Sequence, residues 1–318
     1  MKKVRVAVIG VGYLGRFHAQ KYAQLEECEL VAVVDGRQEA RDAVAAEVAA
    51  RGLADHRELL GQVDAVSIVT PTAAHFPIAR EFLAAGAHVL VEKPITETPQ
   101  QARELIRLAA QGGRILQVGH LERFNSAILG AEAELRAPRF IECHRLAPYK
   151  ERGTDVSVVL DLMIHDIDIV QTLVGSAIES IDAIGTPVFS EDVDIANARI
   201  RFANGCVANA TASRVSVKSE RKMRVFSDEA YVSMDLQQKI VTVIRKRPGG
   251  PAPGQLPVTI DERIFEAGDA LKAEIHSFLT CIQQGRSPVV SGEAGLAALE
   301  TAIQITAQVQ KSRQRPAP

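Results

Sequence analysis

Through the first 120 residues, apolar and polar positions come in alternating blocks. Val4 to Ile9, Leu30 to Val34, Ala65 to Val69, His88 to Val91 and Ile115 to Val118 are short runs dominated by aliphatic, largely β-branched residues. Runs so uniformly apolar suit strands buried on both faces. Between them lie Arg16 to Gln24, Gln38 to Arg51, Phe76 to Ala85 and Pro99 to Gln111, rich in Ala, Leu, Glu and Arg. These predict helices, and Thr98 before Pro99 makes a start signal with Gly112 as the stop. Strand and helix alternating at this spacing predict a parallel, doubly wound α/β sheet with right-handed crossovers.

After Gly119 the rhythm changes. A helical stretch from Asn125 to Arg136 precedes an extended run, Phe140 to Arg145, and an irregular segment, Ala147 to Thr154. A strong helix is expected over Val156 to Val174. Ile195 to Phe202 and Cys206 to Ser213 flank Asn204-Gly205, a dipeptide suited to a tight hairpin. Lys222 to Phe226 with Tyr231 to Asp235 suggests a second hairpin, and Lys239 to Lys246 a further strand. Pro248 to Pro257 reads as a proline- and glycine-rich loop. Helical periodicity returns in Ala267 to Gln284 and Gly292 to Lys311, and the tail RQRPAP carries no pattern. The expected division is 1–120 and 121–318, the second part an α+β domain with a large, mainly antiparallel open sheet. Its final helices are free to pack back on the first domain.

Composition removes several function classes. The chain has 318 residues with a net charge of −2, which gives no electrostatic footprint for a nucleic-acid backbone. It has no Trp and only 4% aromatic residues, so stacking platforms for single strands are not expected either. Cys28, Cys143, Cys206 and Cys281 are scattered without a CxxC pair or a ligand-like spacing to His. No metal site and no disulfide framework is expected, and a reducing cytoplasm fits best. The apolar run after Lys2 and Lys3 is interrupted by Arg5 and reads as a strand rather than a leader. The Val156 to Val174 stretch is broken by Asp161, His165, Asp166 and Asp168, so no membrane span is expected.

The chemistry begins at Gly10-Val-Gly12-Tyr13-Leu14-Gly15, a G-x-G-x-x-G placed where a strand ends and a helix opens. Gly10 permits a tight turn, Gly12 lets the backbone approach a pyrophosphate, and Gly15 allows close helix–sheet packing. The helix N-terminus, opening at Tyr13 and Leu14, offers free N–H groups and a positive dipole to the anion. Asp35 ends the second strand and can accept from both ribose hydroxyls while repelling a 2′-phosphate, which favours NAD over NADP. Arg37 nearby can offset that repulsion, so NADP stays open.

Two segments follow predicted parallel strands at their carboxyl ends, where such sheets place ligands. One is Thr70-Pro71-Thr72-Ala-Ala-His75, whose hydroxyls can meet cofactor oxygens or cap the next helix. The other is Glu92-Lys93-Pro94, in which the proline holds Lys93 extended. A third element, Asp161-Leu-Met-Ile-His165, sets a carboxylate and an imidazole four apart, on one otherwise apolar helical face.

Taken in order, VIGVGYLGRFHA, TPTAAH, VEKP and DLMIHDID resemble the Gfo/Idh/MocA family of nicotinamide-dependent sugar oxidoreductases, and the match spans essentially the whole chain. The resemblance implies a Rossmann domain, and a C-terminal domain that forms the substrate cleft and often the oligomer interface. It implies catalytic roles for Lys93, Asp161 and His165, with Glu92 among the cofactor contacts. His165 is the preferred base because its ordinary pKa lies near working pH, and Lys93 would steady the developing alkoxide. The reverse assignment of these two stays open. Many members carry glycines where this chain has Thr154-Asp155-Val156-Ser157.

Gly119-His120-Leu-Glu-Arg123-Phe-Asn125 and Arg152-Gly-Thr-Asp155 are similar to the subgroup that oxidises UDP-N-acetylglucosamine at C3 ahead of transamination toward a lipid A precursor. His120, Arg123, Asn125, Lys150 and Arg152 are then the candidate substrate contacts. The implied partners are a small-molecule sugar and further copies of the chain, as a homodimer or homotetramer. An inositol or free-sugar dehydrogenase, and a non-catalytic NAD(P)-binding regulator, are the rival readings.

Overall fold

The computed structural model describes residues 3–149, 156–251, 254–266 and 268–313. The chain forms two compact units, dividing between Phe124 and Asn125, between Gly268 and Asp269, and between Leu299 and Glu300.

The first unit holds β1 (Val4–Ile9), α1 (Tyr13–Ala23), β2 (Cys28–Val34), α2 (Gln38–Glu47), β3 (Arg51–Leu53), β4 (Ala65–Ile68), α3 (His75–Ala84), β5 (His88–Glu92), α4 (Pro99–Gly112) and β6 (Leu116–Gly119). Its six strands run parallel in the order β3-β2-β1-β4-β5-β6. This is the doubly wound order whose reversal point beside β1 opens a ligand crevice at the strand ends. The helix predicted over Gln38 to Arg51 stops at Glu47, and Arg51–Leu53 pairs with β2 instead. Three residues of edge strand are too few to show a hydrophobic period. The α4 start is as the sequence indicates: the Thr98 side chain accepts from Gln101 N–H and Gln101 answers in a capping box, but the left-handed stop is Gly113.

The helix α7 (Ala270–Gln284) belongs to this unit. Its Leu271, Ile275, Phe278 and Leu279 share one core with Val4, Val6 and Val8 of β1 and Tyr22 of α1.

The second unit holds α5 (Ser126–Gly130), β7 (Phe140–Leu146), α6 (Ile164–Val174), β8 (Ile178–Thr186), β9 (Ile195–Phe202), β10 (Val207–Ser213), β11 (Glu220–Phe226), β12 (Ala230–Asp235), β13 (Ile240–Lys246) and β14 (Val258–Ile264). Its sheet has the order β14-β13-β12-β11-β7-β10-β9-β8, antiparallel except where β7 meets β10. The strands bury alternate residues. On β9 these are Ala196, Ala198, Ile200 and Phe202, and on β10 Ala208, Ala210 and Ala212, whose small side chains face α6. The last helix, α8 (Gly292–Arg313), contains the Leu299/Glu300 division.

Three expectations change here. The helix expected over Asn125 to Arg136 lasts only to Gly130; the chain beyond it runs through turns and bends to Ala137, whose φ of +48° is left-handed and non-helical. Strands β8 and β14 escape the sequence pattern, since most of their residues are partly or fully exposed and neither shows a clean alternation. The helix expected from Val156 opens instead as a π-helical turn, Val159–Met163, and turns α-helical only at Ile164.

Candidate active site

The glycine turn comes first. Gly10 has φ +87°, a left-handed conformation, and its N–H donates to the Val34 carbonyl at 2.7 Å. A Cβ at Gly15 would fall inside the Gly10 carbonyl group, so α1 leaves the turn closer to the sheet than any other residue permits. On Gly12, a Cβ would meet nothing nearer than the Arg37 guanidinium at 3.5 Å, which marks the open side. No side chain caps α1 and its first turn has no acidic residue, so its leading N–H groups are left for an anion. Tyr13 and Leu14 point outward, Tyr13 with 70% of its surface exposed.

Asp35 braces this turn. Its Oδ2 accepts from Val11 N–H at 3.0 Å, and its Oδ1 accepts from Arg37 N–H at 2.9 Å and Arg37 Nε at 3.4 Å. Across the reversal point, Thr70 presents a buried hydroxyl with no hydrogen-bond partner, beside exposed Pro71 and half-buried Thr72. A cradle open at Gly12, uncapped N–H groups, an anchored carboxylate and an orphaned hydroxyl fit a dinucleotide.

Lys93 leaves β5 through a cis bond to Pro94. Its neighbour Glu92 turns inward and faces His18 of α1, Nε2 to Oε1 at 3.2 Å. His75 is likewise buried, with Nδ1 facing the Pro94 carbonyl and Nε2 the Thr70 carbonyl, both at 2.9 Å. Both residues were expected as direct cofactor contacts. Their polar atoms face partners inside the fold, on α1 and on the loops that flank the crevice.

His120 is buried, and burial together with the nearby cations Lys93 and Arg123 pushes its pKa down to about 3. It is a neutral imidazole at physiological pH. Arg123 donates to the Val289 carbonyl at 3.0 Å. Asn125, another expected substrate contact, is buried in the second unit: its Oδ1 caps α5 at Ala127 N–H and its Nδ2 donates to the Leu236 carbonyl. Lys150 and Arg152, with Thr154 and Asp155, lie outside the described residues.

Asp161 sits in the π-helical turn and His165 in the first turn of α6, so their four-residue spacing is not that of a single α-helical face. The Ile164 N–H reaches back to Val159, and such turns recur at functional sites. The helix is moored by two buried ion pairs that the motifs missed. Arg145 of β7 holds Asp166, next to His165, in a bidentate grip at 2.9 and 2.8 Å, both side chains about 5% exposed. Arg214 pairs with Asp194 at 2.9 Å and donates to the Val156 carbonyl at 2.6 Å, where the helical segment begins. Burial would raise the Asp194 pKa, but the Ser190 hydroxyl and the N–H groups of Ser190, Phe189 and Val188 outweigh it and hold the carboxylate ionised.

Residues 4–120 match the Gfo/Idh/MocA oxidoreductase family with its NAD-binding Rossmann fold, and residues 127–233 match the family's C-terminal domain. UDP-N-acetylglucosamine 3-dehydrogenase of Acidithiobacillus ferrooxidans is 41% identical over 99% of this chain and all of its own. The chain belongs to the Gfo/Idh/MocA family. As a member it is an NAD-binding oxidoreductase of the dehydrogenase type. A solved structure of the same Acidithiobacillus enzyme covers 99% of this chain and all of its own, with a TM-score of 0.94 at 40% identity. More distantly, the scyllo-inositol 2-dehydrogenase (NAD(+)) of Bacillus subtilis is 27% identical over 96% of this chain and 93% of its own. Among the described residues no group of His, Cys, Asp and Glu could hold a metal ion, and no helix is long and apolar enough to cross a membrane. The four cysteines are buried and free.

Proposed function

We propose that this family member oxidises the 3-hydroxyl of UDP-N-acetylglucosamine to the ketone. The observation that carries this reading is the full-length 41% identity to a dehydrogenase named for that substrate, against 27% to the inositol enzyme. NAD, when bound, accepts the hydride. The chain binds it through the Gly10–Gly15 turn, the Asp35 carboxylate toward the ribose hydroxyls and the Thr70 hydroxyl, with Arg37 beside Asp35.

The catalytic roles follow the family resemblance. His165 takes the proton of the sugar hydroxyl, and Lys93 donates a hydrogen bond to the same oxygen as negative charge develops on it. Asp161 orients the imidazole. Arg123, with Lys150 and Arg152, supplies positive charge toward the substrate diphosphate, which a chain of net charge −2 must hold with local cations. His120, neutral, adds no charge beside Lys93 and Arg123.

The chain acts in the cytoplasm as a homo-oligomer, and its 3-keto product passes to an aminotransferase on the way to a lipid A precursor. Assembly is supported by the open face of the second sheet. There Phe140, Phe226 and Tyr231 stack across neighbouring strands with ring centres 5.6 and 4.8 Å apart, and the row continues to Ile244 and Ile260. The substrate assignment is tested by following NADH formation with UDP-N-acetylglucosamine, scyllo-inositol, myo-inositol and glucose. Turnover of the nucleotide sugar alone supports it, and turnover confined to the free polyols contradicts it.

A further inference from the structure

Two buried histidines take no part in the chemistry above, and each lands on a residue adjoining Lys93. His18 comes from α1 and is fully buried; its Nδ1 has no partner among the described residues, which leaves the ring directed at Glu92 through Nε2. The same Glu92 carboxylate accepts the Lys93 N–H through Oε2 at 3.2 Å. Gly119, paired with Glu92 across β5 and β6, makes this geometry fit. A Cβ there would stand 2.7 Å from Oε1 and 2.9 Å from Oε2. On the other side of Lys93, His75 faces the Pro94 carbonyl through Nδ1 and the Thr70 carbonyl through Nε2; burial lowers its pKa, and the neutral ring donates its one N–H to one of the two while packing against the other.

We propose that His18 and His75 are positioning residues that clamp the Lys93 backbone from both sides, fixing its ammonium relative to the NAD-binding loops. The inference rests on Lys93 having the role given under the proposed function. Its physical basis is cost. A buried imidazole and carboxylate lose hydration that an apolar pair would not need, so their retention in the Rossmann core is explained by what they hold. Each histidine also links Lys93 to a cofactor element: His18 lies on the helix that opens at the glycine turn, and His75 sits between the Pro94 and Thr70 carbonyls. A catalytic group displaced by about 1 Å can lose on the order of 100-fold in rate.

The test combines hydrogen exchange at the Lys93 amide of the cofactor-free, full-length protein with steady-state kinetics and NADH binding. His18→Leu is expected to raise Lys93 exchange at least about tenfold while the amides of β1 and β4 keep their protection. Its kcat should fall about 100-fold with NADH affinity within about threefold of wild type. His18→Gln keeps a donor near the Nε2 position and should recover most of the loss. Gly119→Ala pushes a methyl group into the Glu92 carboxylate without altering either histidine, and should reproduce His18→Leu even if that variant does not fold. His75→Leu should likewise lower kcat with little effect on NADH affinity.

Unchanged Lys93 exchange in folded His18→Leu and Gly119→Ala would overturn the clamp. So would equal losses in kcat and NADH affinity, or a Gln variant no better than Leu. Loss of Lys93 protection in an enzyme whose wild type turns over no sugar would instead remove the proposed function while leaving the clamp's geometry standing.

Discussion

The turn from Gly10 to Gly15 is shaped by its own backbone, whereas the segment carrying Asp161 and His165 is shaped by charged residues far away in sequence. At the turn, one left-handed φ and one missing Cβ set the path, both at glycines inside a six-residue motif, and Asp35 braces it from the end of β2. In the second region a π-helical turn is moored by Arg145 on β7 and by Arg214 beyond β10. The difference teaches where precision comes from: local sterics in one region, buried long-range ion pairs in the other. The first kind survives changes elsewhere in the chain. The second depends on partners that must be present together.

The sharpest way to break the comparison is to remove chemistry from one region and not the other. His165→Ala and Lys93→Ala should each lower kcat by about 10³-fold while NADH binding, read by fluorescence titration, stays close to wild type. A His165→Ala enzyme with full turnover would detach the second region from catalysis. Next in size is the mooring. Arg145→Met leaves Asp166 buried and uncompensated, and should cost about 3–5 kcal/mol in chemical denaturation. The double variant Arg145→Met with Asp166→Leu should recover most of that stability, and a kcat that stays low would show that the pair orients His165.

A smaller effect concerns pH. His120 titrates near 3 in the fold and near 6.5 when unfolded, so between these values the unfolded chain binds the extra proton. Its contribution is complete above the unfolded pKa and is lost as pH falls, at a limiting slope of about 1.4 kcal/mol per pH unit. Denaturation midpoints measured from neutral pH downward should show a shallower decline in His120→Gln than in wild type. An identical slope would mean that His120 takes up a proton in the fold. The smallest effect returns to local backbone control: Thr98→Ala removes the α4 capping box and should lower stability by about 1 kcal/mol without altering kcat.

The same contrast explains what could be read from the sequence. The parallel sheet was legible because five short runs are mostly aliphatic, with at most one polar residue each, and the nucleotide turn because its constraints lie within one motif. β3 was not, since three edge residues carry no period, and neither were β8 and β14, whose burial follows no regular alternation. The π-helical turn left no trace because 1–5 and 1–6 hydrogen bonding ask for similar residues. Glu92, His75 and Asn125 were recognised as polar positions near the site, but their inward partners, His18, two backbone carbonyls and Leu236, become neighbours only in the fold. One missed signal was available. Arg145 occupies an inward position of β7 by strict alternation with Ile141 and Cys143, and a charge there demands a buried partner.

The central claim is hydride transfer from C3 of a nucleotide sugar to NAD, and isotope tracing tests it directly. Incubation of the protein with NAD and UDP-N-acetylglucosamine deuterated at C3 should give a product that has lost the C3 deuterium and the hydroxyl hydrogen, and NADH heavier by one deuterium. Unlabelled NADH, or a sugar recovered with its deuterium in place, would contradict the account.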